Sequence, residues 1–422
     1  MKIEFDYTNK IVKSKNKIYY IYDKISKKHI FISKEIMGYL KSAEQLKMTS
    51  EQFINSFELT EDKKYIVNLI SKLKQIGFIK NLEYDEQFKY KKYRDIDVVY
   101  IVLTNKCNLN CKHCSTNCSP KSKEVLPIEK IKNIIINIKQ FKPKRVIFTG
   151  GEPLIRNDLE EILKFAEENL KESNFSLSTN GTLIDNKNIY LIKKFFDWVD
   201  ISIDGVDEES CSKVRGSGVF QKVIKSIMLL KKNEITNISL SMVFGSNNLH
   251  LKSEFLELNK KLGTKPIERA LIPEGRAFEN ILVFDSEKTH LPKAIIPIYD
   301  ISNKQKKISK KISSCSCNAF ERSLFIDEKG DVYPCAALLK NCYKIMNLSD
   351  KMYTKDFILE KISITGGNFV ASLEYKDTKC ENCDLNIFCW NCPAHFEQAK
   401  KYDEINNWCN LMKQNLEKIV WE

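Results

Sequence analysis

The sequence predicts an α/β fold in three parts, and three observations support this. Six apolar runs alternate with helical patterns between residues 98 and 273, which predicts a β/α core over 98–300. Short strand-like segments followed by helical patterns predict a small α+β domain over 1–85, joined to the core by a linker at 86–97. Cysteines crowd residues 301–422, which we interpret as a metal-binding extension.

The composition indicates a globular protein of the cytoplasm. Hydrophobic residues make up 43% of the 422 residues and charged residues 29%, which excludes the disordered class. We expect neither a signal peptide nor a membrane span, since no apolar run approaches the ~20 residues that cross a bilayer. Because cytoplasmic thiols stay reduced, the 14 cysteines predict metal clusters and not disulfides. The formal charge of +13 indicates only a preference for anionic partners.

Residues 1–85 contain three strand patterns and three helical patterns. The strands are expected at Lys10–Lys15, 17–23 and 28–33, and the helices at 33–42, 50–57 and 60–76. Apolar side chains recur on one face of the third helix, and Gly77 follows it as a helix end prefers. Lysine outnumbers the acidic residues in this part, so an acidic partner would be favoured.

The core predicts a parallel sheet. Its strands are expected at 98–104, Arg145–Thr149, 175–179, 199–203, 238–243 and 267–272, and the apolar strands alternate with helices as right-handed crossover units do. Six units fall short of the eight of a closed barrel, so we predict an open, six-stranded partial (β/α)6 barrel, similar to a TIM barrel. Functional residues in such a fold gather at the carboxyl ends of the strands.

Three cysteines, Cys107, Cys111 and Cys114, lie within eight residues just after the first core strand. Thiolates at this spacing can bind three irons of a four-iron cubane and leave the fourth iron without a protein ligand. A zinc site is the alternative for this loop, with His113 and Cys118 as additional donors.

Gly150, Gly151, Glu152 and Pro153 follow the second core strand. Together with the Cys-x3-Cys-x2-Cys loop, this run resembles the radical S-adenosylmethionine (radical SAM) enzymes. The resemblance implies that the open iron binds the amino and carboxylate groups of S-adenosylmethionine, which is cleaved to a 5'-deoxyadenosyl radical. Gly150 to Pro153 would hold the methionyl amine, with glycines that let the backbone approach the ligand closely.

The same resemblance assigns further cofactor contacts at the strand ends. His113 would face the adenine, and Asn180, after the third strand, would border the ribose or the substrate. Ser202 would reach the carboxylate, with Arg215 as a charged partner, because a guanidinium can grip a carboxylate through two hydrogen bonds. The turn at 273–277 also matches a turn in relatives that carry extra clusters.

The cysteines of the extension resemble those of the SPASM domain, which holds two auxiliary four-iron clusters. Carried across, Cys380, Cys383, Cys389 and Cys409 would bind the outer cluster, although two residues separate Cys389 from Cys392 where the family usually has three. The inner cluster would use Cys317, Cys335 and Cys392, its fourth position being open or filled by Cys118 or Cys315. A pair of structural zinc sites is the alternative.

Three strands followed by three helices also resemble the winged-helix, PqqD-like domain that opens many peptide-modifying radical SAM enzymes. This implies that residues 1–85 recognise the leader of a precursor peptide, which would add as a strand to the edge of the sheet. Winged helices can instead bind DNA, but the lysines here are scattered and no arginine-rich recognition helix is evident.

Taken together, these resemblances predict a maturase of ribosomally made peptides. It would abstract hydrogen from the peptide and install a crosslink, with a Cys thioether as first choice and carbon-carbon or carbon-oxygen bonds as alternatives. A flavodoxin or ferredoxin would supply electrons, and neither nucleic acid nor a membrane is expected as partner. Formylglycine formation is disfavoured because Ala336 follows Cys335 where those relatives carry Asp. An iron-sulfur DNA regulator would leave Gly150 to Pro153 without a role.

Overall fold

The structure is a computed structural model. It describes residues 2–24, 26, 28–81, 96–123, 126–284, 312, 317, 319, 322–373, 378–389, 392–401 and 403–422. Cys315 and most of the predicted linker lie outside the described residues.

The amino-terminal part is a three-stranded antiparallel sheet followed by three helices. Strands β1 (Lys10–Lys15), β2 (Ile18–Asp23) and β3 (His29–Ser33) pair in sequence order. Helices α1 (Lys34–Gln45), α2 (Ser50–Asn55) and α3 (Thr60–Gln75) follow within three residues of the predicted positions. The Ser33 side chain caps α1, and Thr49 with Gln52 forms a capping box at α2.

Six consecutive parallel strands confirm the predicted core. They are β4 (Val98–Val102), β5 (Arg145–Thr149), β6 (Asn174–Thr179), β7 (Trp198–Ser202), β8 (Ile238–Phe244) and β9 (Lys265–Ala270). The crossovers carry α4 (Ile128–Lys139), α5 (Leu159–Asn169), α6 (Ile189–Phe195), α7 (Glu208–Arg215), α8 (Val219–Lys232) and α9 (Lys252–Leu262). Apolar faces of the helices bury against the strands in one continuous core, which leaves the carboxyl ends of the strands to carry loops.

Three further strands extend this sheet beyond the predicted six. Strand β10 (Ser323–Ile326) pairs in parallel with β4, and β11 (Asp331–Tyr333) and β12 (Met346–Asn347) follow in antiparallel order. The docking of β10 on β4 cannot be predicted from the sequence pattern, because the two strands are far apart in the chain. The extension therefore begins as part of the barrel sheet.

Helices complete the structure after the sheet. A short helix, α10 (Arg276–Glu279), follows β9, and α11 (Lys355–Leu373), α12 (Asn386–Cys389), α13 (Pro393–Lys401) and α14 (Ile405–Trp421) follow β12. Among the described residues, no helix combines the length and the apolar character needed to cross a membrane.

The amino-terminal sheet and the extension share a hydrophobic core. Tyr20 of β2 stacks on Trp421 of α14 with ring centroids 5.4 Å apart, and its hydroxyl donates to the carbonyl of Asp384 at 2.8 Å. Phe388 and Trp408 are buried in the same cluster. The sheet of residues 1–85 is thus packed against the cysteine-rich part, whereas the sequence pattern presented it as a separate unit.

Candidate iron-sulfur and cofactor site

The loop after β4 carries Cys107, Cys111 and Cys114, and hydrogen bonds from the segment after β5 anchor its start. The buried Arg156 guanidinium donates from Nη1 to the carbonyls of Leu103 and Leu126, at 2.7 and 2.8 Å. The Gly151 amide donates to the Thr104 carbonyl at 2.7 Å. These bonds fix the start of the loop to the segment that follows β5.

Gly150 and Gly151 are required by the backbone of the cysteine loop. A Cβ at Gly150 would lie 2.3 Å from the Thr104 carbonyl oxygen, and one at Gly151 would lie 2.3 Å from that of Lys106. Gly150 also has a φ of 150°. We expected the glycines to admit a ligand, and the structure shows a second cause, since the neighbouring chain itself fills the space of a side chain.

Gly151→Ala is therefore expected to disturb the loop that bears Cys107. Backbone atoms of Lys106 must move, which we expect to cost about 1–3 kcal/mol in the free energy of unfolding and to lower the iron bound after anaerobic reconstitution. Gly38→Ala is the matched control, because nothing lies within 4 Å of its added Cβ and helical Ala is favoured over Gly by about 0.5–1 kcal/mol. Denaturant melts and iron analysis of both variants test this; equal iron content would contradict it.

The turn at 273–277 closes the other side of the loop. The Arg276 amide donates to the Cys114 carbonyl at 3.1 Å, and its guanidinium Nε donates to the Cys111 carbonyl at 3.0 Å. Gly275 has a φ of 55°, and a Cβ there would lie 2.6 Å from the Ser115 carbonyl oxygen. This turn, matched to cluster-bearing relatives in the sequence, thus holds the cysteine loop directly.

Nitrogen donors point at two of the three sulfurs. Cys107 Sγ accepts from the Leu109 amide at 3.4 Å and from Asn180 Nδ2 at 3.7 Å, and Cys111 Sγ accepts from Arg215 Nη1 at 3.8 Å. Burial raises the pKa of the Cys107 thiol to about 11 and also raises that of Cys111. Thiolates in this place therefore need a positive partner, which a metal or Arg215 provides.

The donor set fits an iron-sulfur cluster. Three thiols on one anchored loop, with N–H groups directed at their sulfurs, are the arrangement that iron-sulfur ligation uses. Within the described part of the chain, no three His, Cys, Asp or Glu side chains are arranged as ligands of a single metal ion.

Glu152 is turned into the protein and organises the end of β6. Its buried carboxylate accepts from the Thr179 hydroxyl at 2.8 and 2.9 Å, from the Asn180 amide at 2.8 Å and from the Leu154 amide at 3.1 Å. Burial raises its pKa. The side chain of this predicted cofactor residue is thus committed to positioning Asn180, whose own amide reaches Asn108 at 2.9 Å and Cys107.

Asp204, which follows β7, is a site residue that the sequence analysis did not select. One oxygen of this buried carboxylate accepts from Arg215 Nε at 2.7 Å and lies 3.0 Å from His113 Nε2. The other accepts from the Val243 amide at 2.6 Å. Although burial alone would raise the pKa of Asp204, the charges of Arg215 and His113 lower it below the usual range.

The structure therefore gives two predicted cofactor residues an internal partner. Arg215, expected to meet a carboxylate of the cofactor, pairs with the Asp204 carboxylate and touches Cys111. His113 binds the same carboxylate through Nε2, and its buried Nδ1 has no hydrogen-bond partner among the described residues. Ser202 accepts from the Ser241 hydroxyl at 3.3 Å. The signal for Asp204 in the sequence was its place directly after a core strand, before Gly205.

Seven cysteines of the extension lie in two groups. Cys317, Cys335 and Cys392 pack against the barrel core, and burial together with the neighbouring Cys317 and Cys392 raises the pKa of Cys335 to about 12. The four others line one shared cavity beneath α14, where Trp408 Nε1 donates to Cys389 Sγ at 3.2 Å; they are Cys380, Cys383, Cys389 and Cys409.

Cys118, one of two residues considered as a fourth ligand of the inner group, lies beside the first loop. Its Sγ is 3.2 Å from the Thr116 hydroxyl, which is also 3.6 Å from Cys114 Sγ. Hydrogen bonding with Cys118 lowers the pKa of the Cys114 thiol. Cys315, the other candidate, lies outside the described residues.

Part of this chain is similar to known proteins. Residues 101–257 match the family model described as the Radical SAM superfamily. An uncharacterized protein of Methanocaldococcus jannaschii is 29% identical over 280 residues, which cover 61% of this chain and 95% of that protein. A probable GTP 3',8-cyclase of Methanosarcina mazei is 34% identical over 158 residues, 36% of this chain and 46% of that protein. The chain thus spans about half the length of the cyclase.

A solved structure shares the fold over most of the chain. Streptococcus suis SuiB bound to S-adenosylmethionine has a TM-score of 0.51 at 17% identity, covering 92% of this chain and 94% of SuiB. SuiB bound to precursor peptide SuiA has the same TM-score at 16% identity and the same coverage. The span that resembles the Radical SAM superfamily contains Cys107, Cys111 and Cys114 and also the glycines packed against their loop.

Proposed function

We propose that this chain is a radical SAM enzyme that crosslinks a ribosomally made precursor peptide, with a Cys thioether as the bond formed. The observation that carries the proposal is the grouping of the cysteines. Cys107, Cys111 and Cys114 share one loop, Cys335 neighbours Cys317 and Cys392, and four further cysteines line one cavity. These three sets would suit one radical cluster and two auxiliary clusters.

Cys107, Cys111 and Cys114 would hold the radical-generating cluster. When bound, the clusters and S-adenosylmethionine would supply an electron that cleaves the sulfonium to a 5'-deoxyadenosyl radical and an acceptor for the electron that the peptide releases. The chain's own residues shape the site around them. Asn180 and Arg215 donate toward the sulfurs, and the buried residues around the loop keep water from the site.

S-adenosylmethionine would bind at the carboxyl ends of β5, β6 and β7. The backbone of Gly150 to Pro153 would meet its amine, and Asn180 and Ser202 would border the ribose and carboxylate. His113 is suited to face the adenine, because its orphaned Nδ1 is a buried polar atom that a ligand can satisfy. Arg215 would meet the carboxylate of S-adenosylmethionine while it stays paired with Asp204, whose negative charge offsets that of the guanidinium.

The two sets in the extension would hold auxiliary four-iron clusters. Cys380, Cys383, Cys389 and Cys409 supply four thiols to the outer one. Cys317, Cys335 and Cys392 supply three to the inner one, which packs against the barrel core and would keep a position for a substrate thiolate or for Cys315. The thiol of a peptide Cys could then be held close to the carbon with which it bonds.

Residues 1–85 would recognise the leader, and the linker, barrel and extension would keep the predicted boundaries of 86–97, 98–300 and 301–422. The fold similarity to SuiB, which binds precursor peptide SuiA, supports a peptide substrate. A flavodoxin or ferredoxin would deliver electrons, and the enzyme would work in the cytoplasm. Deleting residues 1–85 would also strip one side of the core shared with α14, so point variants test this role better.

Mass spectrometry of a complete reaction tests the proposal. The anaerobically reconstituted enzyme is given S-adenosylmethionine, dithionite and the short peptide encoded beside its gene. We expect the peptide to lose two hydrogens, one to the 5'-deoxyadenosyl radical and one as the proton of the Cys thiol, and one Cys to resist alkylation. The same loss with every Cys still alkylated would favour a carbon-carbon or carbon-oxygen bond, and an unchanged peptide would contradict crosslinking.

A further inference from the structure

Helices α1, α2 and α3 enclose a groove of about 900 Å³ that the strand-addition model of leader binding does not use. Its floor is apolar and buried, formed by Ala43, Phe53 and Ile66. Large apolar side chains stand exposed on its rim: Tyr39 (47% exposed), Leu46 (73%), Leu59 (66%) and Tyr65 (48%). Four such side chains around one concave surface mark an interaction site more than a chance distribution of apolar residues.

The charged side chains of the groove are all acidic. Glu35, Glu58 and Asp62 line it, and neither Lys nor Arg does. Among the described residues none of the three carboxylates forms an ion pair; Glu35 accepts a hydrogen bond from the Tyr39 hydroxyl at 3.1 Å. The groove is therefore locally negative, although the chain as a whole has a net charge of +13. A partner with Lys or Arg next to apolar side chains is complementary to it.

We propose that this groove binds an amphipathic, basic helical segment of the precursor's leader. An apolar stripe would lie on the floor between α1 and α3, in the helix-in-groove mode, while cations on its edges would meet Glu35, Glu58 and Asp62. The inference rests on the proposed function, and it reverses the leader charge that the overall composition of residues 1–85 predicts. The lysines of this part lie elsewhere, so their count does not describe the groove.

Two synthetic helical peptides test the chemistry of the groove without iron or S-adenosylmethionine. One is a 16-residue amphipathic peptide of Leu and Lys, and the other has Glu in place of every Lys. In fluorescence anisotropy with the full chain, we expect the lysine peptide to bind at least about tenfold more tightly than the glutamate peptide. The acidic side chains of the groove attract the lysine peptide and repel the glutamate peptide.

Paired variants locate the binding. Asp62→Lys is expected to weaken the lysine peptide about tenfold, whereas Glu61→Lys makes the same charge change in the same helical turn outside the groove. Leu59→Ser is paired with Val67→Ser, which is also exposed and does not line the groove. Equal losses in the members of a pair would overturn the assignment. Binding of neither peptide would overturn it too, because the groove would then be covered by the chain itself.

A reaction with the precursor separates this inference from the proposed function. Asp62→Lys and Leu59→Ser should raise the peptide concentration needed for half-maximal processing, with S-adenosylmethionine cleavage in the absence of peptide unchanged. If crosslinking persists at the same peptide concentration, the leader does not bind here, although the proposed function stands. If the wild-type enzyme makes no crosslink while the lysine peptide still binds, the proposed function fails and the groove keeps its specificity. A dimer abolished by Leu59→Ser would assign the groove to a second copy and overturn the inference.

Discussion

Replacing Cys107, Cys111 and Cys114 together with alanine is expected to remove about four irons per chain, the content of one cubane cluster, and to abolish 5'-deoxyadenosine formation. Their sulfurs lie on a loop held from both sides by Gly151 and Arg276. Since the anchoring bonds run through the backbone, the loop should keep its course in the variant. Iron analysis after reconstitution and chromatography of the nucleoside products measure the two effects.

Cys342→Ala is the matched control for this variant. Cys342 is exposed and belongs to none of the three cysteine groups, so its replacement should leave both iron content and S-adenosylmethionine cleavage unchanged. Retained cleavage in the triple variant would refute the assignment of the radical cluster. A loss of one zinc in place of about four irons would return the loop to the zinc alternative.

Asp204→Asn is expected to destabilise the barrel strongly. It leaves the buried Arg215 guanidinium and His113 without the carboxylate that joins them, and removing one partner of a buried ion pair costs about 3–5 kcal/mol. The asparagine oxygen can still accept from the Val243 amide, so the loss reports the charge and not the backbone contact. The free energy of unfolding from denaturant titration at neutral pH measures it.

The pH dependence has a defined sign. Because the folded pKa of Asp204 is lowered, its contribution to stability is present above the unfolded value of about 3.9 and declines as the pH falls through the folded value. Asp350→Asn, at the exposed pair with Lys130, is the control and should change stability little. A small loss in Asp204→Asn, equal to that of the control, would show that Arg215 finds another partner.

Most of the backbone was readable from local patterns. The core strands lie within two residues of their predicted starts, since buried parallel strands give continuous apolar runs such as Val98–Val102. Cysteine spacing and the resemblance to the SPASM domain also predict two ligand groups in the extension, and their ligand roles stay proposals. Residue types and their spacing along the chain are therefore enough to predict much of the candidate site.

What remained hidden depends on contacts between distant segments. Nothing near Ser323 indicates that its strand docks on β4, and nothing near Asp204 indicates that Arg215 and His113 converge on it. The acidic lining of the groove between α1, α2 and α3 was not predicted for a similar reason. Glu35, Glu58 and Asp62 are separated in the sequence and lie within a stretch rich in lysine. These contacts depend on how distant segments pack together, so the composition of a stretch of sequence does not reveal them.

The core shared by β2 and α14 cannot form until the ribosome has made almost the whole chain. Lys15, in β1 beside β2, meets Glu417 of α14 across a separation of 402 residues. At about 5–20 residues per second, a ribosome needs roughly 20 to 80 s to make the intervening chain. For that interval the Tyr20 face of the nascent sheet lacks the Trp421 stack, and transiently exposed apolar surface is prone to aggregation. Slower translation would lengthen the exposure, so the yield of native protein should depend on chaperones that cover this sheet while the rest of the chain is made.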